Sequence, residues 1–324
     1  MATYRALVCR SLGLDGLALE GVERKALRDG EVRVAIAAAG VNFPDLLMVQ
    51  GLYQFKPEVP FVSGMEAAGR IIETCEGSGF AIGDAVVVGA KTGAFAEEIV
   101  AREDAVRPLP EGMSFEEGAT FSVAFLTAFH GLRTRGRVLT GETVLVLGAA
   151  GGVGAAAVQF AKAMGAKVIA AASTQEKLAF ARALGADEVV NYCEEVLEKA
   201  VAGLTGGRGA DVVLDPVGWA PASLCRCVAF GGRILIVGFA GGSLPSYPAN
   251  RLLLKGASLI GVRAGEAGRR DPAARLKEWE EILAFIAKHA LKPTISAQVP
   301  LAEFKRAFDA VAERRAMGRI VLTM

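Results

Sequence analysis

Short apolar runs alternate with longer amphipathic segments between about residue 126 and residue 262. Six of these runs have the length and composition of buried strands, and they cover residues 143–147, 167–172, 188–190, 211–214, 233–237 and 258–262. Because strands that alternate with helices build βαβ units, the pattern predicts a doubly wound parallel sheet with helices on both faces.

The flanking parts of the chain follow other patterns. Residues 1 to about 125 are β-rich, with strands predicted at 31–39, 85–88 and 95–100. Gly and Pro residues separate these strands. Beyond residue 271, two amphipathic helices are predicted at 273–289 and 301–312, followed by a strand at 319–322. We therefore expect two domains, one built from residues 1–125 and 263–324, the other a dinucleotide-binding α/β domain over residues 126–262.

A glycine-rich turn follows the first strand of the α/β pattern. Gly148, Gly151, Gly152 and Gly154 separate that strand from a small-residue helix predicted at 155–164. Glycine allows a tight turn and lets backbone N–H groups approach a pyrophosphate, and the helix N-terminus adds about half a positive charge. This order of strand, glycine turn and helix indicates a dinucleotide site of the Rossmann type.

The end of the second strand indicates which dinucleotide is bound. NAD-preferring sites place a carboxylate there for the ribose 2′-hydroxyl, but residues 172–174 read Ala-Ser-Thr. Glu176 falls later, in the first turn of the next helix. Ser173 and Lys177 suit a 2′-phosphate, and Tyr192 follows the neighbouring strand. The sequence therefore predicts NADPH in preference to NADH.

Composition limits the class of protein. The chain has 324 residues, of which 52% are hydrophobic and 22% charged, with a net charge of +1. This describes a globular protein with a large core and gives no indication of nucleic-acid or membrane-surface binding. No apolar run is long enough to cross a bilayer, and the first residues lack a signal-peptide pattern. The five cysteines are scattered, which predicts reduced thiols and a cytoplasmic location.

Several motifs resemble one family along essentially the whole chain. They are Ala-Gly-Val-Asn-Phe-Pro-Asp at 39–45, Gly-Leu-Tyr at 51–53, Pro-Phe-Val-Ser-Gly-Met-Glu-Ala-Ala-Gly at 60–69, Ala-Ala-Gly-Gly-Val-Gly at 149–154, Asp-Pro-Val-Gly at 215–218 and Val-Gly-Phe at 237–239. Their order is similar to the zinc-free NADPH:quinone oxidoreductase branch of the medium-chain dehydrogenase/reductase superfamily. The resemblance implies a β-rich, GroES-like catalytic domain together with a Rossmann domain.

The zinc members of that superfamily carry Cys-x-x-Asp and Gly-His-Glu in the catalytic domain. Here Asn42 and Met65 stand at the positions of the first ligands. Asn is a poor zinc ligand, and a thioether is a soft one. No cysteine lies between Cys75 and Cys193, so the four-cysteine structural lobe is missing, and the chain has only two histidines. We therefore expect no metal site, and hydride transfer assisted by hydrogen bonds and proximity.

The resemblance also implies roles for individual residues. Asn42 and Thr127 would face the nicotinamide end and hold its carboxamide or a substrate carbonyl. Tyr53 would line the active cleft, and in related enoyl-thioester reductases the corresponding tyrosine is the proposed proton donor. The remaining cofactor-binding residues implied are Ala150, Gly151, Gly152 and Val153 at the pyrophosphate, Ser173, Lys177 and Tyr192 at the 2′-phosphate, and Gly238, Phe239 and Arg319 elsewhere along the cofactor.

Simpler structural roles stay open for these residues. Asn42 would instead fix a turn, Thr127 would bond to its own helix backbone, and Tyr53 would anchor a loop. Asp45 and Glu66 are expected to tie their domain together and to take no part in catalysis.

The leading hypothesis is an NADPH-dependent enzyme that reduces a quinone or another conjugated carbonyl. The alternatives are an enoyl-thioester reductase and a non-catalytic NADPH-binding protein. The expected partners are a small-molecule quinone or enone and a second copy of the chain. The last strand, at 258–262, is apolar and lies at the sheet edge, so we expect two copies to pair there as a homodimer.

Overall fold

The chain leaves one structural unit at Val123 and returns to it at Lys292. The computed structural model describes residues 2–324. One compact unit contains the residues up to Val123 together with Lys292–Met324, and the other contains Ala124–Leu291.

Before Val123 the chain is mostly strand. The strands are β1 (Thr3–Cys9), β2 (Leu17–Glu23), β3 (Glu31–Val41), β4 (Phe61–Val62), β5 (Glu66–Thr74), β6 (Ala85–Gly89), β7 (Glu98–Arg102) and β8 (Val106–Pro108). The helices are α1 (Phe43–Val49) and α2 (Phe115–Gly118), with short 3-10 turns at Leu14–Gly16 and Glu103–Ala105.

Between Ala124 and Leu291 strands and helices alternate, as predicted. A helical segment begins with a π-helical turn at Phe121–Phe125, continues as α3 (Leu126–Phe129) and ends in a second π-helical turn at His130–Arg135. The strands are β9 (Thr143–Leu147), β10 (Lys167–Ala172), β11 (Glu188–Asn191), β12 (Ala210–Asp215), β13 (Val228–Ile236) and β14 (Ser258–Gly261). The helices are α4 (Gly152–Ala163), α5 (Gln175–Ala183), α6 (Leu197–Leu204), α7 (Pro221–Cys227), α8 (Ala249–Lys255), α9 (Ala264–Arg270) and α10 (Pro272–His289).

The returning segment adds β15 (Ile295–Pro300), a 3-10 turn at Leu301–Glu303, α11 (Phe304–Ala312) and β16 (Arg319–Thr323). Strand β16 pairs antiparallel with β3, and β15 pairs parallel with β16. The resulting sheet has the order β15-β16-β3-β5-β6-β8, with β7 also paired to β3, and a second sheet has the order β2-β1-β4. The pairing of β16 with β3 brings residue 319 beside residues 40–42.

The sheet of the other unit is parallel throughout and has the order β11-β10-β9-β12-β13-β14. In chain order this is 3-2-1-4-5-6, the arrangement of a Rossmann sheet. All five residues of β9 are buried because helices cover both faces of the sheet. The predicted α/β fold class and the accompanying β-rich domain are confirmed.

Three details differ from the sequence prediction. Residues 95–97 are not part of a strand, because only an isolated bridge joins Ala96 to Ala6 of β1, and β7 covers Glu98–Arg102 instead. The helix expected at 301–312 begins with a 3-10 turn. Residues 263–291 pack with the α/β unit, where Phe285 contacts Phe129 and Phe160 at ring distances of 5.8 Å and 5.9 Å. Among residues 2–324, no helix is both long and apolar enough to cross a membrane.

Candidate functional site

The glycine turn after β9 has the shape that a dinucleotide site needs. Gly148 has a positive φ of 55°, and a Cβ at Gly154 would lie 2.2 Å from the Gly148 carbonyl oxygen. Gly151 is the N-cap of α4, and its position carries no side-chain cap hydrogen bond. The Gly151 N–H donates to the Gly148 carbonyl at 2.9 Å. The first N–H groups of a helix have no intrahelical partner, so Gly152 and Val153 present donors and a positive dipole end to an anion.

The residues expected at a 2′-phosphate lie together at the ends of two neighbouring strands. The Lys177 Nζ lies 3.5 Å from the Ser173 Oγ, just after β10. Ala172 and Asn191, the last residues of β10 and β11, are paired, so Tyr192 follows at the carboxyl end of the neighbouring strand. The Tyr192 backbone N–H donates to the Ala172 carbonyl. The Tyr192 ring contacts Trp219 at a centroid distance of 5.3 Å. Sequence reasoning did not single out Trp219, which carried no motif signal.

The carboxyl ends of β12 and β13 lie on the same side of the parallel sheet. The buried Asp215 carboxylate accepts hydrogen bonds from the N–H groups of Val217 and Gly218 at 2.9 Å and 2.8 Å, and Tyr247 donates to it at 3.2 Å. Burial raises the pKa of Asp215, and the two backbone N–H groups oppose that rise. A Cβ at Gly218 would meet Phe239 at 2.8 Å, so Gly238 and Phe239 lie directly beside the Asp-Pro-Val-Gly turn.

Thr127 lies in α3 and is half-buried. Its helix packs on α4 through Phe125 and Phe129, whose rings lie 5.2 Å and 5.4 Å from that of Phe160. The segment that carries Thr127 thus packs against α4, the helix that follows the glycine turn.

The β-rich unit contains a buried polar network around Asn42. The Asn42 Nδ2 donates to the Gly40 carbonyl at 3.1 Å and to Glu66 Oε1 at 3.0 Å. Arg319 Nη2 donates to Asn42 Oδ1 at 2.8 Å and to Glu66 Oε1 at 2.6 Å. The other Glu66 oxygen accepts from the Val123 N–H at 2.8 Å. The structure therefore places Asn42 and Arg319, both expected at the cofactor, in direct contact with each other.

Asp45 completes this network. Its Oδ2 accepts from the Asn42 backbone N–H at 2.8 Å, whereas its buried Oδ1 has no hydrogen-bond partner among the described residues. Burial raises the pKa of Asp45 to about 7, and the nearby Glu66 charge adds to the rise. Burial also raises the pKa of Glu66, against the opposing effect of Arg319. Asp45 thus supplies a carboxyl group that titrates near neutral pH.

Tyr53 lies in the loop after α1 and is half-buried. Its backbone N–H and that of Leu52 both donate to the Leu47 carbonyl, at 3.2 Å and 2.8 Å. The loop is therefore held to the end of α1, the helix that begins directly after Asn42.

Comparison with known proteins places the chain in a family. Residues 28–111 match the alcohol dehydrogenase GroES-like domain, and residues 152–288 match the zinc-binding dehydrogenase family. The quinone oxidoreductase-like protein 2 homolog of Nematostella vectensis is 36% identical over 325 residues, which are 99% of this chain and 89% of that protein. The chain belongs to the medium-chain dehydrogenase/reductase superfamily, in its quinone oxidoreductase-like group. This assigns it to the oxidoreductases, with a nicotinamide nucleotide as cofactor.

Solved structures of the superfamily agree with this assignment. The quinone oxidoreductase of Thermus thermophilus, also solved as its NADPH complex, is 34% identical with a TM-score of 0.83, over 99% of this chain and 100% of that chain. The CurK enoyl reductase is 27% identical with a TM-score of 0.89, over 100% of both chains.

The name of the second matching family implies a zinc ion, but the residues at the corresponding places do not fit one. Glu66 is already paired with Arg319, whose positive charge would repel a dication. The Asn42 amide nitrogen is occupied by two acceptors, and the thioether of Met65 is a soft ligand. In the described part of the chain, no three His, Cys, Asp or Glu side chains group to hold a metal ion. His130 instead bonds to Glu278 at 2.8 Å.

Sequence reasoning left Glu66 and Asp45 out of the site because each carboxylate has an ordinary structural role in a sheet or helix. The signal that could have raised their importance was their position beside Met65 and Asn42, where the zinc members place ligands. Gly40 gave no such signal. A Cβ there would lie 2.4 Å from the Ala119 carbonyl oxygen and 2.9 Å from Glu66 Oε1, so the network requires glycine.

Proposed function

We propose that this protein is a zinc-independent oxidoreductase that transfers a hydride from NADPH to a quinone or another activated conjugated carbonyl. The observation that carries the proposal is the Asn42–Glu66–Arg319 network at the place of the catalytic metal site of related enzymes. Without a Lewis acid, a simple ketone or alcohol would be weakly polarised, so the acceptor must be activated by its own conjugation.

The α/β unit would hold the cofactor. The glycine turn of residues 150–153 would bind the pyrophosphate, with the N–H groups of Gly152 and Val153 as donors, and Ser173, Lys177 and Tyr192 would bind the 2′-phosphate. Thr127, Gly238, Phe239 and Arg319 would contact the cofactor elsewhere. A reduced nicotinamide, when bound, supplies the hydride.

The β-rich unit would supply Asn42 at the nicotinamide end and Tyr53 as a hydrogen-bond donor. Reduction of a quinone or enone places negative charge on its oxygen, and a donor aimed at that oxygen stabilises the transition state. The Tyr53 hydroxyl can donate such a bond and can also release a proton. The tyrosine therefore has the chemistry that the product oxygen requires.

A homodimer is part of this proposal. Within residues 2–324, β14 pairs with β13 alone and stands at the sheet edge. Leu259 on that edge is 39% exposed, and Phe230 and Leu253 in the neighbouring segments are each 81% exposed. An exposed apolar edge strand is a template for pairing with a second copy.

A second candidate is an enoyl-thioester reductase, which the similarity to the CurK enoyl reductase favours. Both reactions deliver a hydride to an acceptor conjugated with a carbonyl. They differ in the carrier attached to the acceptor.

A turnover assay tests these functions together. NADPH oxidation would be followed at fixed protein concentration with benzoquinone, naphthoquinone, a short enone, a 2-enoyl thioester and a simple aldehyde. We expect turnover with the quinones or the enone. Turnover with the thioester alone would favour the second candidate, whereas NADPH binding without any turnover would indicate a non-catalytic protein. NADPH oxidation with the simple aldehyde alone would overturn the proposal.

A further inference from the structure

The side-chain amide of Asn42 has little hydrogen-bonding capacity left for a ligand. An amide offers two N–H donors and two lone pairs on its oxygen. Both donors are occupied by Gly40 and Glu66, and one lone pair accepts from Arg319. The Asn42 side chain faces the Asp45 N–H in a capping-box arrangement but makes no cap hydrogen bond to it, and that N–H donates to the backbone carbonyl of Asn42 at 3.0 Å. One lone pair on Oδ1 remains.

The surrounding groups dictate this orientation of the amide. Rotating the amide by 180° would turn its oxygen toward the Glu66 carboxylate and the Gly40 carbonyl. It would also turn the NH2 group toward the Arg319 guanidinium. Acceptors would then face acceptors and donors would face donors, and buried groups without partners are unfavourable. Of the two orientations, only the observed one pairs the Asn42 amide with Gly40, Glu66 and Arg319.

Glu66 is the group that enforces this choice. It is completely buried, and both its oxygens accept hydrogen bonds from fixed donors, Arg319 on one side and the Val123 backbone on the other. Gly40 makes room for this carboxylate, since a Cβ at residue 40 would lie 2.9 Å from Glu66 Oε1. A rigid acceptor therefore stands 3.0 Å from Asn42 Nδ2.

We propose that Glu66 is a positioning residue that holds Asn42 as a hydrogen-bond acceptor. Asn42 then receives a hydrogen bond from the carboxamide NH2 of the nicotinamide and does not donate one to a substrate carbonyl. This proposal rests on the cofactor placement of the proposed function, in which Asn42 lies at the nicotinamide end. It leaves Tyr53 as the donor to the reacting oxygen.

The test uses binding and no acceptor substrate. Affinities for NADPH and for its reduced 3-acetylpyridine analogue, in which a methyl group replaces the carboxamide NH2, would be measured by calorimetry. We expect the parent protein to bind NADPH about tenfold more tightly than the analogue, the size of one hydrogen bond. Asn42→Ala should reduce this preference to below about threefold.

Glu66→Gln should have the same effect through Asn42. A glutamine has one oxygen and one NH2 group, so it must turn NH2 either toward the Val123 N–H or toward Arg319 and Asn42. We expect the preference to fall below about threefold while the affinity for the analogue is retained. The double variant should show no further loss, because both changes remove the same contact.

Glu73→Gln is the matched control. Glu73 lies on the same strand and pairs with another buried arginine, Arg33, at 2.6 Å. Its variant should keep the tenfold preference. A Glu66→Gln protein that weakens both cofactors equally, or that keeps the full preference, would overturn the positioning role.

If Glu66→Gln does not fold, Asn42→Ala decides the matter, since an unchanged preference there would refute the acceptor contact. The outcome is separable from the proposed function. A parent protein that turns over quinones without preferring NADPH to the analogue would refute this inference alone. A protein that shows the preference but no turnover would refute only the proposed reaction.

Discussion

Lys177→Ala should remove much of the preference for NADPH over NADH. The Lys177 Nζ lies 3.5 Å from the Ser173 Oγ at the end of β10, where no carboxylate is available for a ribose hydroxyl. The substitution leaves the start of α5 intact, because Thr174 caps the helix by accepting from the backbone N–H of Lys177 at 3.3 Å. The change therefore removes the Lys177 side chain beyond Cβ and keeps the backbone hydrogen bond of the helix cap.

The size of the effect follows from the charge and its exposure. A lysine about 4 Å from one phosphate charge gains about 4 kcal/mol at an effective dielectric constant near 20. Lys177 is half-buried, and contact with water and salt reduces this toward the range of a charge-assisted hydrogen bond, about 1.5–3 kcal/mol. We therefore expect NADPH affinity to fall about 10- to 100-fold and NADH affinity to change less than about twofold.

The assay is a titration of each protein with NADPH and NADH at low and high salt. Lys162→Ala is the matched control, since Lys162 lies near the other end of α4 and pairs with Asp187 at 2.5 Å. It should leave both affinities unchanged. The NADPH advantage of the parent should shrink as salt rises. Equal parent affinities for the two cofactors, or an equal loss of both in Lys177→Ala, would refute the reasoning.

Three further predictions concern the other parts of the molecule. Because the pKa of Asp45 is raised to about 7 from 3.8, the folded state holds a proton that the unfolded state releases. Stability should therefore fall by roughly 2–3 kcal/mol between about pH 5 and pH 8, and denaturant titrations should show that Asp45→Asn lacks most of this fall. Tyr53→Phe should lower turnover about 10²–10³-fold with NADPH affinity unchanged, and full activity would exclude Tyr53 as the donor. Leu259→Arg should give a monomer in light scattering, and a parent that is already monomeric at micromolar concentration would contradict the edge-paired dimer.

The sequence alone determined those structural features that depend only on residues close together in the chain. The strand, glycine turn and helix at 143–163 are local, because the turn conformation and the helix start depend on residues within a few positions. The absence of an acid after β10 is equally local. The alternation of strands and helices then led to the Rossmann sheet, since parallel strands with crossover helices have few stable arrangements.

The tertiary structure decided which distant groups share the buried network. Asn42 and Arg319 are separated by 277 positions, and only the pairing of β16 with β3 brings them to 2.8 Å. The sequence offered Asn42 as either donor or acceptor, because an amide is both, and the contacts with Gly40 and Glu66 removed the first choice. Helix α10 illustrates the same limit, since an amphipathic pattern marks a buried face without saying which core buries it.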